Sequence, residues 1–192
     1  MSRILAFDTW QEQWGNTDRI LTEEQNESVA MQTFSGLDLT KRIVEAQTDI
    51  DGMTAAKRCW NYQKGGLQWY LPCLMELGVL CAYRDEINKA MKEIGCPDEC
   101  LLPTEDSDET WVWSSSEGSQ GSSWNVGFSL GNFGISNKCS SYMVRAVAAF
   151  QPSPSLLTGE AKSNDCLHSD EALINMLRER GYKGELTKTL TI

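Results

Sequence analysis

Apolar and polar residues alternate most regularly near the middle of the chain. Trp124, Val126, Phe128 and Leu130 recur at every second position, with Asn125, Gly127 and Ser129 between them. That period predicts a strand with one face in a core and the other in water. Gly131-Asn132 suits a two-residue turn, because both residues tolerate positive φ. A hairpin closed there pairs Leu130 with Phe133, Phe128 with Ile135 and Trp124 with Cys139 on the apolar face. The same register sets Asn125 against Lys138, Gly127 against Ser136 and Ser129 against Gly134 on the wet face. The wet face carries small polar side chains and no catalytic set, so it reads as a recognition surface on a rigid scaffold.

Patterning elsewhere is weaker but directional. Arg3 to Phe7 is a short apolar run that predicts a strand, and Ser28 to Phe34 is a fainter one. Gln11 to Ser28 is polar, acidic and without period. Leu37, Leu39, Ile43, Val44 and Ala46 suit a short helix. Met53 to Tyr62 suits a second, with Thr54 as its cap and Gly65-Gly66 as its stop. Leu67 to Leu71 reads as a short strand ended by Pro72. Cys73 to Ile94 keeps mostly helical spacing through Leu74, Leu77, Leu80, Cys81, Ile87, Met91 and Ile94, and Gly95 and Pro97 end it. Beyond Phe150, Gln151-Pro-Ser-Pro-Ser reads as a linker. Asp170 to Arg180 then suits a helix and Glu185 to Ile192 a strand. That tail is too small to fold alone, so its apolar faces are expected to dock on the main body, with Arg3–Phe7 as a strand partner, or on a second copy.

The balance of charge narrows the partners. A net charge of −10 with no basic cluster argues against a nucleic-acid backbone. No apolar run is long enough to cross a bilayer. The N-terminus lacks the apolar core and cleavage site of a signal peptide. The expected setting is therefore a virus particle (tail or fibre), the cytoplasm before assembly, or a cell surface. Seven cysteines at irregular spacing, without a signal peptide, read as reduced thiols. Cys96 and Cys100 form the only close pair, and His168 is the only histidine, so a zinc set is incomplete. The Glu105–Glu109 carboxylates read as a solvated loop rather than a calcium site. No cofactor and no metal are expected.

Two motifs hint at chemistry and fail on context. Gly127-Phe128-Ser129-Leu130-Gly131 fits G-x-S-x-G, but its serine lies within a hairpin with no helix following. Cys139 as a nucleophile needs a neighbouring base, and the predicted register sets it against Trp124. Trp111 and Trp113 read as core on one strand face, and Trp69 and Trp124 as the best core candidates. The surplus of Ser, Gly and Asn from Ser114 to Tyr142 is more informative. Antibody binding loops use the same residues, because they combine adaptable hydrogen bonding with little steric demand.

Several ordered motifs carry a resemblance. GGLQWYLPCLMELGVL (65–80), WVWSSSE (111–117), SWNVGFSLGNFG (123–134) and YMVRAVAAF (142–150) resemble a bacterial and phage group of C-type-lectin-like domains. FSGLDLTKRIVEAQ and AAKRCWNYQKGG resemble its lead-in. Cys73 stands where that group usually has serine, and Ser116 where it often has threonine. The resemblance implies an α+β, C-type-lectin-like fold, with two helices packed on a small twisted antiparallel sheet. The helix–strand tail would be a C-terminal extension of it. The chain then divides into an N-terminal strand-containing segment (1–35), the lectin-like domain (36–150), and the linker with its tail (151–192).

Some members of the group are adhesin tips. Others are variable proteins of diversity-generating retroelements, whose exposed residues near the end of the domain are diversified. The implied ligand-binding set here is Gly118, Ser119, Gln120, Ser122, Asn125, Gly127, Ser129, Asn132, Phe133, Ser136, Asn137, Cys139, Ser140, Ser141 and Tyr142. The expected function is non-enzymatic recognition of a cell-surface protein or glycan, with homo-oligomerisation through the tail. Two alternatives stand beside it. One is a formylglycine-generating-like oxidase using Cys139, although such enzymes need a cysteine pair and this region offers one thiol. The other is a structural virion accessory protein.

Overall fold

The computed structural model describes residues 2–15, 19–48, 51–104 and 110–150. They form a mixed α+β unit around one six-stranded sheet. The strands are β1 (Ser2–Gln13), β2 (Trp69–Tyr70), β3 (Trp111–Glu117), β4 (Ser122–Gly127), β5 (Asn132–Asn137) and β6 (Ser141–Phe150). The order is β1-β6-β3-β4-β5, with β2 also paired to β6. The pairings are antiparallel except β3 with β6, which meet in parallel at Val112 and Met143. The predicted strand at Arg3–Phe7 is present and continues to Gln13, pairing with β6 along its length through an irregularity between Leu5 and Thr9. The expected partnership of that run with the tail concerns residues 151–192, which lie outside the described residues, as do Glu105–Glu109 and His168.

Helices cover both faces of the sheet. They are α1 (Glu27–Ala30), α2 (Gly36–Ala46), α3 (Ala55–Trp60), α4 (Leu74–Ala82) and α5 (Arg84–Glu93). One core joins Leu74, Leu77, Ile87 and Met91 of α4 and α5 to Leu5, Phe7, Val112, Val126, Phe128 and Val147. The other joins Ile43, Ala55, Ala56 and Cys59 of α2 and α3 to Ala6, Trp14, Trp69, Leu71, Trp113, Val144, Ala146 and Ala148. A sheet covered on both faces explains why β6 reads as a nearly unbroken apolar run.

Three predicted elements need correction. Ser28–Phe34 is not a strand: Asn26 caps α1, its Oδ1 accepting from the Val29 amide at 3.1 Å. Cys73–Ile94 is two helices, because the chain turns at Tyr83. The break lets α5 bring Asn88 to Leu102, whose amide and carbonyl it bonds at 2.8 Å each. The hairpin turn lies between Gly127 and Asn132, not at Gly131-Asn132, so Trp124 faces Ile135 and Val126 faces Phe133. The observed partner of Trp124 is four residues earlier than the predicted one. An even shift keeps each side chain on its own face.

The glutamate of the Trp69-to-Leu77 motif is structural. Glu76 is buried at the start of α4 and accepts from Arg3 Nε (2.9 Å), the Tyr70 hydroxyl (2.9 Å) and the Cys73 amide (3.0 Å). The last of these caps the helix. Burial, together with the neighbouring Glu76 carboxylate, pushes the Tyr70 phenol far above its usual range and the Cys73 thiol to about 12. Gly36 packs against this group: a Cβ there would stand 2.2 Å from Glu76 Oε2 and 2.8 Å from the Cys73 nitrogen.

Candidate functional site

The β3–β4 turn and the β5–β6 turn are held together from inside. Lys138, placed by the sequence pattern on a wet face opposite Asn125, is 0% exposed. Its amide bonds the Gly121 carbonyl at 3.0 Å, which extends the β4–β5 register by one pair. Its ammonium forms an ion pair with Glu117, also fully buried. It also donates to the carbonyls of Gln120 (2.8 Å) and Arg19 (3.3 Å) and lies 4.7 Å from the centre of the Trp14 ring. Glu117 accepts in turn from the Leu21 amide (3.0 Å), the Thr22 amide (2.8 Å) and the Thr22 hydroxyl (2.9 Å). A buried ion pair recovers its desolvation cost only when the remaining donors and acceptors are satisfied, and here they are shared among three chain segments. The sequence offers Glu117 only as the end of WVWSSSE and Lys138 only as a lone charge, so the pair is not legible in it.

The predicted recognition residues divide by exposure. Gln120, Asn132, Asn137, Cys139 and Ser141 are exposed; Ser119, Ser122, Ser129, Phe133, Ser136, Ser140 and Tyr142 are partly exposed; Gly118, Asn125 and Gly127 are buried. The wet-face assignment therefore fails at its centre. Asn125 is 0% exposed and donates through Nδ2 to Ser136 Oγ at 2.8 Å, and Ser123 nearby is also fully buried. The apolar face errs the other way, since Leu130 is 67% and Ile135 51% exposed and Trp124 is only partly buried. Leu130 lies in the four-residue turn, and β5 is the last strand of the sheet, so little packs against either.

Register brings 118–122 beside 137–138 at one end of the β4–β5 hairpin, and sets Ser129 and Asn132 at the other. The first end is shaped by short local bonds. Ser119 and Ser122 hydroxyls meet at 2.6 Å, Asn137 Oδ1 accepts from the Cys139 amide at 2.8 Å, and the Asn137 carbonyl accepts from the Ser140 amide at 2.9 Å. Tyr142 stands edge-on to Trp113 with ring centres 4.9 Å apart.

Contrary to the strand pattern, Trp111 is not core. It is partly exposed, whereas Trp113 is fully buried. Its ring lies over Gly127 and Gly134, where a Cβ would come within 3.3 Å and 2.7 Å of it. The signal available in the sequence is the pair of glycines, Gly127 and Gly134, in a strand pair where larger residues are the norm.

Thiol chemistry separates by burial. Cys139 is exposed, while Cys59 and Cys73 are buried, and burial pushes the Cys59 thiol well above its usual range. Brief N-ethylmaleimide treatment of the folded chain should modify Cys139 before Cys59 and Cys73, which stay intact until denaturation. Peptide mapping reads the order, and equal early labelling of Cys59 would contradict the packing described. Among the described residues, Cys139 forms no disulfide, and no three His, Cys, Asp or Glu side chains gather into a metal-binding group. No described helix is long and apolar enough to cross a membrane.

No family model matches the chain, and no curated protein matches it. Among solved structures it is similar to a fimbrial protein from Bacteroides ovatus ATCC 8483, with 15% identity and a TM-score of 0.50 over 77% of this chain. The match spans 35% of that protein's length. At such identity the likeness concerns the fold alone.

Proposed function

We propose that the chain is a non-enzymatic recognition module. In this reading the scaffold is C-type-lectin-like, and the β3–β4 and β5–β6 turns display side chains that bind a protein or glycan on a target cell. The observation that carries it is the buried Glu117–Lys138 pair. It fixes both turns and residues 19–25 to one another, while Gln120, Asn137, Cys139 and Ser141 stay exposed above it. Rigid backbone beneath small, adaptable side chains lowers the ordering cost of binding. The two motif glutamates, Glu76 and Glu117, both serve as buried supports, as expected where the motifs encode a scaffold rather than a reaction. The fimbrial neighbour accords with a surface-associated setting.

Binding of the labelled full chain to a panel of intact bacterial cells tests the reading. A triple variant, Gln120→Ala with Cys139→Ala and Ser141→Ala, should lose at least tenfold in binding. Its melting temperature should stay within about 2 °C, because exposed substitutions rarely change stability by more than about 0.5 kcal/mol. Unchanged binding by the variant would remove these turns from the site. Diversification is tested in the genome: a neighbouring reverse-transcriptase gene with a near-repeat of the sequence coding for 111–150 is the expected arrangement.

A further inference from the structure

The geometry points to Trp111 as a stacking shelf for the apolar face of a neutral sugar ring. This inference takes the chain as a recognition module but uses different residues from the turns proposed above. Trp111 is partly exposed and belongs to neither hydrophobic core. Its ring rests on backbone, because Gly127 and Gly134 present no side chains beneath it. A Cβ at Gly134 would meet Trp111 Cζ3 at 2.7 Å and Asn125 Oδ1 at 2.5 Å, so the glycine is what admits the ring.

Polar groups flank the ring on the same face. Asn132 and Ser136 alternate with Gly134 along β5, so all three share the side on which Trp111 lies. Asn132 is exposed and Ser136 partly so. Asn125 Oδ1 is buried next to the ring and, among the described residues, has no hydrogen-bond partner. An aromatic plane bordered by amide and hydroxyl groups matches a pyranose, which presents C–H groups on one face and hydroxyls around its rim. The net charge of −10 disfavours an acidic sugar, and among the described residues the site places no carboxylate beside the ring to select a cationic one.

An array of neutral glycans probed with the full chain tests this. The wild type should retain at least one, and the Trp111 indole N–H resonance should shift as that glycan is added. Trp111→Ala should weaken binding at least tenfold, Trp111→Phe less, and Asn132→Ala several-fold with no change in melting temperature. If Trp111→Ala does not fold, the phenylalanine and Asn132 variants decide. The turn triple variant should keep its glycan binding. No retained neutral glycan at millimolar concentration overturns the proposal, as does equal binding by Trp111→Phe, Asn132→Ala and wild type. Cell binding that depends on the turns but ignores Trp111 would also overturn it while leaving the recognition reading intact.

Discussion

Lys138→Met is expected to destabilise the fold by about 3–5 kcal/mol, the usual cost of leaving one partner of a buried ion pair unpaired. For a chain of this size that is a fall in melting temperature of roughly 10 °C. Removing the ammonium strands the Glu117 carboxylate at 0% exposure and takes one donor from each of the Gln120 and Arg19 carbonyls. Adding Glu117→Leu should not restore stability, although apolar replacement of buried pairs often does. The reason is local: the Leu21 and Thr22 amides would lose the carboxylate that accepts from both, and each buried donor left unmade costs about 1–3 kcal/mol. Thermal denaturation of wild type, single and double variants measures both effects. A double variant as stable as wild type would show that the carboxylate's amide contacts contribute little.

Phe128→Ala should cost about 3–5 kcal/mol, whereas Leu130→Ala, two residues on, should change stability by less than about 0.5 kcal/mol. Both residues belong to the same alternating series in sequence. In the fold Phe128 is fully buried in the core beside α4 and α5, and Leu130 is 67% exposed in the turn. Urea unfolding resolves the difference, because the midpoints separate while the slope stays constant. Similar costs at the two positions would mean that Leu130 is covered by something other than the residues described.

The contrast between these two residues marks how far local pattern reaches. Period-two alternation identifies β4 and β5 and sorts their side chains into two sets correctly. It survives an error in the turn because the register moves by an even number of residues. It does not reveal which set is buried. That depends on what lies over each face, and here α4 and α5 cover one while Trp14, residues 19–22, Trp111 and Trp113 crowd the other. The helix α2 and the α3 start at Thr54 are legible because helical periodicity acts within a few residues, although the Thr54 hydroxyl donates to Gln47 Oε1 at 2.7 Å rather than capping α3. The break at Tyr83 is not, since apolar spacing runs through it and only the separate targets of α4 and α5 require it.

Charge is the least legible property. Glu117 and Lys138 read as surface residues because isolated charges are almost always solvated. Their burial follows from the Leu21 and Thr22 amides and from the Trp14 ring, groups more than a hundred residues away in the case of Lys138. By itself the sequence determined most of the local elements, the parity of the hairpin and the small polar character of the turns, because these arise from neighbours along the chain. Only the tertiary structure decided which face is covered, where the hairpin turns, that Asn125 and Lys138 are interior, and that Trp111 lies outside both cores. Each of those depends on contacts between residues far apart in sequence.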